Sequence, residues 1–201
     1  MAYWKRTHTT LAAILVAALT ATLFTTPTHA KELAIWDQLQ GTNPKGYVLL
    51  MRHALAPGVG DPENFNVNDC STQRNLNDEG RQDARDIGQW LQRREVKILR
   101  VESSRWCRAK ETARLLDLGK VRPNKNFDSL FRDPDPAKSP QTAAIKKQIF
   151  NHRNTRGLLV LVGHAVNIQT LTGTLVDSGE GVLVRATPQG ELKVMGYSPA
   201  P

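Results

Sequence analysis

Two histidines of this chain stand directly behind apolar runs. Tyr47-Val48-Leu49-Leu50-Met51 leads into Arg52 and His53, and Leu158-Leu159-Val160-Leu161-Val162 leads into Gly163 and His164. A neutral imidazole is a competent nucleophile toward phosphorus near neutral pH, because its unperturbed pKa is about 6.5. A second imidazole, when protonated, stabilises charge on the transferring group. Arginines complete such a pocket, since a guanidinium presents a planar fork of donors matched to phosphate oxygens. Arg52 adjoins His53, and Arg105 and Arg108 follow the short stretch Ile98 to Val101. These residue types point to phosphoryl chemistry on a dianion that needs neither a metal nor a cofactor.

The elements that must position them are legible from patterning. A continuous apolar run of about five residues has the length and character of a parallel strand buried on both faces, and ligands bind just beyond the carboxyl ends of such strands. Lys31 to Gln40 reads as a leading helix, before a turn-rich stretch from Gly41 to Gly46. Asn77 caps a helix to about Arg94, with Asp78 and Glu79 in its first turn and Ala84, Ile87, Gly88 and Leu91 on one face. Ile98 to Val101 is a second strand, and Ser104 is the expected cap of the next helix, which places Arg105 in a first turn where backbone N–H groups already favour an anion. Leu118 to Ser139 is broken by prolines. Ser139 and Pro140 open a helix ending near Asn154, and Ala165 to Leu171 forms another. Gly181 to Ala186 and Glu191 to Met195 flank Pro188-Gln189-Gly190 as a terminal hairpin at a sheet edge.

Met1 to Ala30 has the form of an export signal: Lys5 and Arg6, a charge-free apolar run from Leu11 to Phe24, and Thr28-His29-Ala30 before the expected cleavage point. The apolar run is short of the roughly 20 residues needed to span a bilayer, so stable membrane insertion after cleavage is not expected. The segment 31–201 suffices for one domain in a periplasmic or secreted protein. Cleavage removes two cations and no acid, which takes the formal net charge from +8 to +6. No basic run with interleaved aromatics suggests nucleic-acid binding. Cys70 and Cys107 are the only two cysteines, an expected disulfide in an oxidising compartment.

The long loop Ala54 to Asn75 has glycines but no Gly-Lys-Ser/Thr, and its acids Asp61, Glu63 and Asp69 lack the spacing of a calcium loop. A loop of this length in a compact domain is more often functional than idle. It is expected to rim the site.

Taken together, the motifs resemble the histidine phosphatase superfamily, also called phosphoglycerate-mutase-like. Arg52-His53-Ala54 resembles the family's Arg-His-Gly signature, and Asn75 to Ala84 is similar to the helix entry that follows it. Ser103 to Ala113 resembles the Ser-x-x-x-Arg-x-x-x-Thr-Ala segment, a context that Arg108 matches better than Arg105; Gly163-His164 resembles the second catalytic histidine. The resemblance implies an α/β fold, a three-layer α/β/α sandwich with a mostly parallel sheet. It implies phosphorylation of His53, with Arg52, Arg108 and His164 holding the phosphoryl group; Arg105 and Ser104, from their place at the expected helix start, are expected to assist substrate binding.

Two departures from the pattern bear on chemistry. Ala54 replaces the signature glycine, and Ser129 stands where many members carry a glutamic acid, leaving Asp128, Asp133, Asp61 or Glu63 as the candidate general acid, with Asp128 first. Ala165 replaces the aspartate that acid phosphatases and phytases carry after the second histidine. The expected function is an exported phosphomonoesterase acting on a small phosphorylated substrate or an envelope sugar phosphate. A phospho-ligand binding module with little turnover is the alternative.

Overall fold

The computed structural model describes residues 34–198. The expected leader over 1–30 lies outside the described residues. Helix α1 covers 34–39, followed by strand β1 (Tyr47–Arg52), helix α2 (Asp78–Arg93), β2 (Ile98–Ser103), α3 (Cys107–Leu115), β3 (Val121–Pro123), α4 (Pro140–His152), β4 (Leu158–Gly163), α5 (Ala165–Thr172), β5 (Gly181–Ala186) and β6 (Leu192–Tyr197). No helix among these residues is long and apolar enough to cross a membrane.

The strands form one six-stranded sheet in the order β3-β2-β4-β1-β5-β6. From β3 to β1 neighbours run parallel, and the terminal hairpin adds β5 and β6 antiparallel, with β6 at the edge. Because side chains alternate along a strand, each central strand feeds both faces. Leu49, Met51, Val160 and Val162 pack with Trp36, Ile87, Leu91, Ala109 and Leu116, under α1, α2 and α3. Val48, Leu50, Leu159 and Leu161 pack with Ile145, Ile149, Ile168 and Leu171, under α4 and α5. Helices on both faces of a mostly parallel sheet make the three-layer sandwich that the family resemblance implied.

Asn77 caps α2 as expected: its side chain accepts the backbone N–H of Gly80 at 2.8 Å. Two local expectations are corrected. Strand β2 runs on to Ser103, and the Ser104 N–H bonds to Val162 O at 2.9 Å, so the ladder continues past the point where a cap was expected. Helix α3 starts instead at Cys107, with Trp106 at the N-cap position and no side-chain cap bond. Arg105 therefore lies before the helix and outside its first turn. Strand β3, in the proline-broken region, has no patterning signal because it is only three residues long; Pro123 fits there because the strand is an edge strand.

The packing of α2 on α3 depends on Gly88. A β-carbon there would stand 2.2 Å from Leu116 O, and backbone cannot yield as a flexible side chain can. Gly88→Ala is expected to destabilise the domain by about 1–3 kcal/mol despite alanine's better helix propensity. Chemical denaturation checks this; an unchanged or raised midpoint would contradict the close approach.

Candidate active site

The site is assembled by strand register. In the β1–β4 ladder Arg52 stands opposite Gly163, and the His53 N–H continues it to Gly163 O at 2.9 Å. The next residue of each strand is a histidine, so the two imidazoles arrive side by side with ring centroids 5.5 Å apart. On the other side of β4, β2 delivers Ser104. Gly163 leaves no room for a side chain, since a β-carbon would meet the Phe127 ring at 2.5 Å.

His53 is only 3 % exposed. Its Nδ1 lies 2.8 Å from Ala54 O, which assigns the proton to Nδ1 and leaves Nε2 as the acceptor. Arg108 Nε–H donates to that Nε2 at 3.1 Å. Burial lowers the His53 pKa from 6.5 to about 3; the bond to Ala54 opposes this, and the charges of Arg108, Arg52 and Arg74 add to it. Burial likewise holds His164 well below its ordinary value, helped by repulsion from His53 and the same cations. His164 Nε2 is 2.9 Å from Ser104 Oγ, whose own proton goes to Asp128 Oδ1 at 3.3 Å, so Nε2 is the protonated nitrogen.

A cavity of about 200 Å³ opens over the two rings. Arg52, Arg74 and Arg108 line it, with Gly58, Val59, Gly60 and Asp61 from the long loop and Ser129, Phe131 and Val166 opposite. Arg52 is braced by Val176 O at 3.0 Å, and burial lowers its pKa against the opposing charges of Asp177 and Glu180. Arg108 places Nη1 and Nη2 on Asp61 at 2.6 and 3.1 Å. For Asp61 burial acts upward, but hydrogen bonds from Arg108 and Trp106 outweigh it and hold the pKa below the usual value. Converging guanidinium groups, a neutral Nε2 and a second imidazole form a receptacle for a phosphoryl dianion.

The structure brings His53, Arg52, Arg108 and His164 together with Asp61 and separates the other candidates from the cavity. Asp128 is no proton donor here. It sits behind His164, where it accepts the Ser104 hydroxyl, the Arg105 N–H at 2.8 Å and the Arg105 guanidinium at 2.6 Å. Arg105 is thereby committed to Asp128, and Ser104 to holding His164, so neither lines the cavity as a substrate-binding group. Asp133 and Glu63 are also absent from the lining, whereas Asp61 faces it.

Sequence reasoning missed Arg74 and Trp106. Arg74 bonds Gly60 O at 2.9 Å and also bonds Ala56 O, and Trp106 Nε1–H donates to Asp61 at 3.0 Å. Neither has a spacing signal: Arg74 reaches the site through the fold of an irregular loop, and Trp106, at the N-cap of α3, joins it through Asp61 of that loop. Cys70 and Cys107 form the expected disulfide, which ties that loop to the first residue of α3, beside Arg108.

The lowered histidine pKa has a signed consequence. An unfolded chain takes up protons below about pH 6.5 that the folded protein refuses until His53 titrates near 3. The stability carried by neutral His53 is therefore full above about pH 6.5 and lost as pH falls toward 3. Thermal midpoints should fall on acidification, and less steeply in His53→Asn. By NMR the His53 ring should hold one protonation state between about pH 8 and pH 5, and an inflection near 6.5 would contradict its desolvation.

Residues 48–130 match the histidine phosphatase superfamily (branch 1). No curated protein matches the chain by sequence. Among solved structures the fold is similar to the protein histidine phosphatase SixA complexed with tungstate, at 16 % identity and TM-score 0.56 over 76 % of this chain and 96 % of that one. It is also similar to phosphoserine phosphatase from Entamoeba histolytica in complex with 3-phosphoglyceric acid, at 12 % identity and TM-score 0.57, covering 77 % and 97 %. A mycobacterial glucosyl-3-phosphoglycerate phosphatase matches at 16 % identity and TM-score 0.53, covering 77 % and 99 %. Residues 48–130 thus carry the pattern of the histidine phosphatase superfamily, and the fold built around them is similar to that of these phosphatases.

Proposed function

We propose that the chain is an exported phosphoric monoester hydrolase that works through a phosphohistidine on His53. The observation that carries this reading is His53, whose unprotonated Nε2 accepts from Arg108 and whose ring lines a cavity with Arg52, Arg74, Arg108 and His164. In the first step the Nε2 lone pair, released from the Arg108 Nε–H, attacks phosphorus, and the bond to the leaving oxygen breaks with its electron pair on that oxygen. In the second, water adds to phosphorus, the P–N bond breaks, and inorganic phosphate leaves with His53 neutral again. Guanidinium groups offset the charge on the equatorial oxygens in both steps. Every group in this scheme belongs to the protein or is water, so no metal is required.

Among the described residues the one carboxylate lining the cavity, Asp61, is held ionised by Arg108 and gives the leaving group no proton. Val59, Phe131 and Val166 line the same space. This favours substrates whose leaving group is acidic and has an apolar face. The superfamily pattern over 48–130 and the phosphatases of similar fold support hydrolysis of a small phosphorylated substrate. The leader-like pattern over 1–30 and the Cys70–Cys107 disulfide support a periplasmic or secreted location; envelope sugar phosphates, with their polar and weakly acidic leaving groups, are on this reading slower substrates than aryl phosphates. The engaged state of Asp61 also favours a second reading, a phospho-ligand binding module with little turnover.

Wild-type protein should hydrolyse aryl phosphates with inhibition by vanadate, and His53→Ala should lose a factor of about 10³ or more. Across a series of phenols the rate should rise steeply with leaving-group acidity, alkyl phosphates falling behind by about 10² or more, the contribution a general acid would supply. A wild type that binds phosphate tightly yet turns over no ester would establish the binding module instead.

A further inference from the structure

We propose that Asp61 is a positioning residue of the phosphoryl pocket: its carboxylate takes the Nη1/Nη2 end of Arg108 and so presents the Nε/Nη2 edge of that guanidinium to the nucleophilic nitrogen of His53. This deepens the hydrolase reading and rests on it.

The donors of Arg108 can be counted. Nη1 gives one N–H to Asp61 Oδ1 at 2.6 Å and one to Arg74 O at 3.3 Å. Nη2 gives one to Asp61 Oδ2 at 3.1 Å, and Nε gives its own to His53 Nε2 at 3.1 Å. The remaining Nη2 N–H lies on the same edge of the planar group as Nε–H and is not engaged by the described residues. When phosphorus bonds to Nε2, that nitrogen ceases to accept. Nε–H and Nη2–H then form a two-pronged cradle for phosphoryl oxygens, with no need to displace Asp61.

Asp61 is itself held. Trp106 Nε1–H donates to Oδ2 at 3.0 Å, and the Arg74 backbone N–H donates to Oδ1 at 3.3 Å. Trp106 stacks on Phe65 with centroids 4.9 Å apart and sets its ring edgewise to His164 at 5.5 Å. The indole thus links the carboxylate that aims Arg108 to the second imidazole. With both oxygens engaged by N–H donors, Asp61 orients charge and does not supply a proton. Arg108 is 3 % exposed at its side chain and Asp61 11 %, so the ion pair is shielded from solvent and acts as a fixed element.

Asp61→Asn keeps the size and one acceptor oxygen but loses the charge and the two-oxygen grip, and Trp106→Phe removes the indole N–H together with part of the ring while leaving the Asp61 charge in place. Aryl phosphate kinetics are to be measured for wild type and both variants, with inhibition by orthovanadate, which imitates the pentacoordinate transfer state, and by inorganic phosphate. In Asp61→Asn, kcat/KM should fall by about tenfold or more, with KM changing less than about threefold. The vanadate inhibition constant should rise by a similar factor, and the phosphate constant much less, a split that general loosening of the fold does not produce. Trp106→Phe should show the same split at smaller size, and it decides alone if circular dichroism finds Asp61→Asn unfolded. Unchanged kcat/KM, or tighter binding of both anions, would overturn the assignment, the latter by making Asp61 a competitor for the guanidinium. A wild type that neither turns over nor binds vanadate removes the hydrolase reading and this one with it; an active wild type beside indifferent variants removes only this one.

Discussion

The parallel ladder between β1 and β4, with Arg52 opposite Gly163, is the constraint on which the site depends. Neither histidine has a partner near it in sequence, and the ladder sets both at one end of the sheet at the same height. A slip of one residue would turn alternate side chains to the opposite face, burying what now lines the cavity and exposing core. The continuous apolar character of both strands holds the register, because every residue from Val48 to Met51 and from Leu158 to Val162 is buried against one helical layer or the other. Gly163 completes the arrangement by letting Phe127 pack against the backbone just below His164.

A site built this way has an electrostatic cost. Desolvation keeps both imidazoles neutral and presses on Arg52 and Arg74. Several cations in a small, partly dry space repel one another, and each is met by an acceptor that is not substrate: Val176 O for Arg52, Gly60 O for Arg74, Asp61 for Arg108. Asp128 plays a parallel part outside the cavity, fixing Arg105 and, through Ser104, the orientation of His164. The result is a set of donors aimed before any anion arrives, so little reorganisation accompanies transfer.

The wall of the cavity comes from the least regular part of the chain. Residues 54–75 hold almost no secondary structure, and their shape is set by discrete links: the Cys70–Cys107 disulfide, Gln73 Oε1 accepting the Cys107 N–H at 2.9 Å, and Asp61 with Arg74 joined to Arg108. All of these converge on the first turn of α3. Loop and helix therefore keep a common frame, and the position of Asp61 over the site follows from covalent and ionic ties where a regular element would use its own backbone bonds.

What the sequence determined by itself were the features written in local periodicity and short motifs. The buried strands and the helices with a clear apolar face follow from patterning, and His53, His164, Arg52 and Arg108 follow from residues placed at strand ends and in motif order. The disulfide followed from cysteine count and the expectation of an oxidising compartment. The tertiary structure alone decided which acid meets which base. Asp128 lies beside Ser129, where a proton donor was expected, yet it turns to Arg105 and Ser104 because the end of β2 reaches it first. Asp61, Arg74 and Trp106 are far apart in the chain and carry no periodicity, and they meet only when the long loop folds over α3. Periodicity reports which face of an element is buried, because backbone geometry repeats along the chain. It carries no information on contacts between an irregular loop and a helix start, which depend on where the rest of the fold brings them.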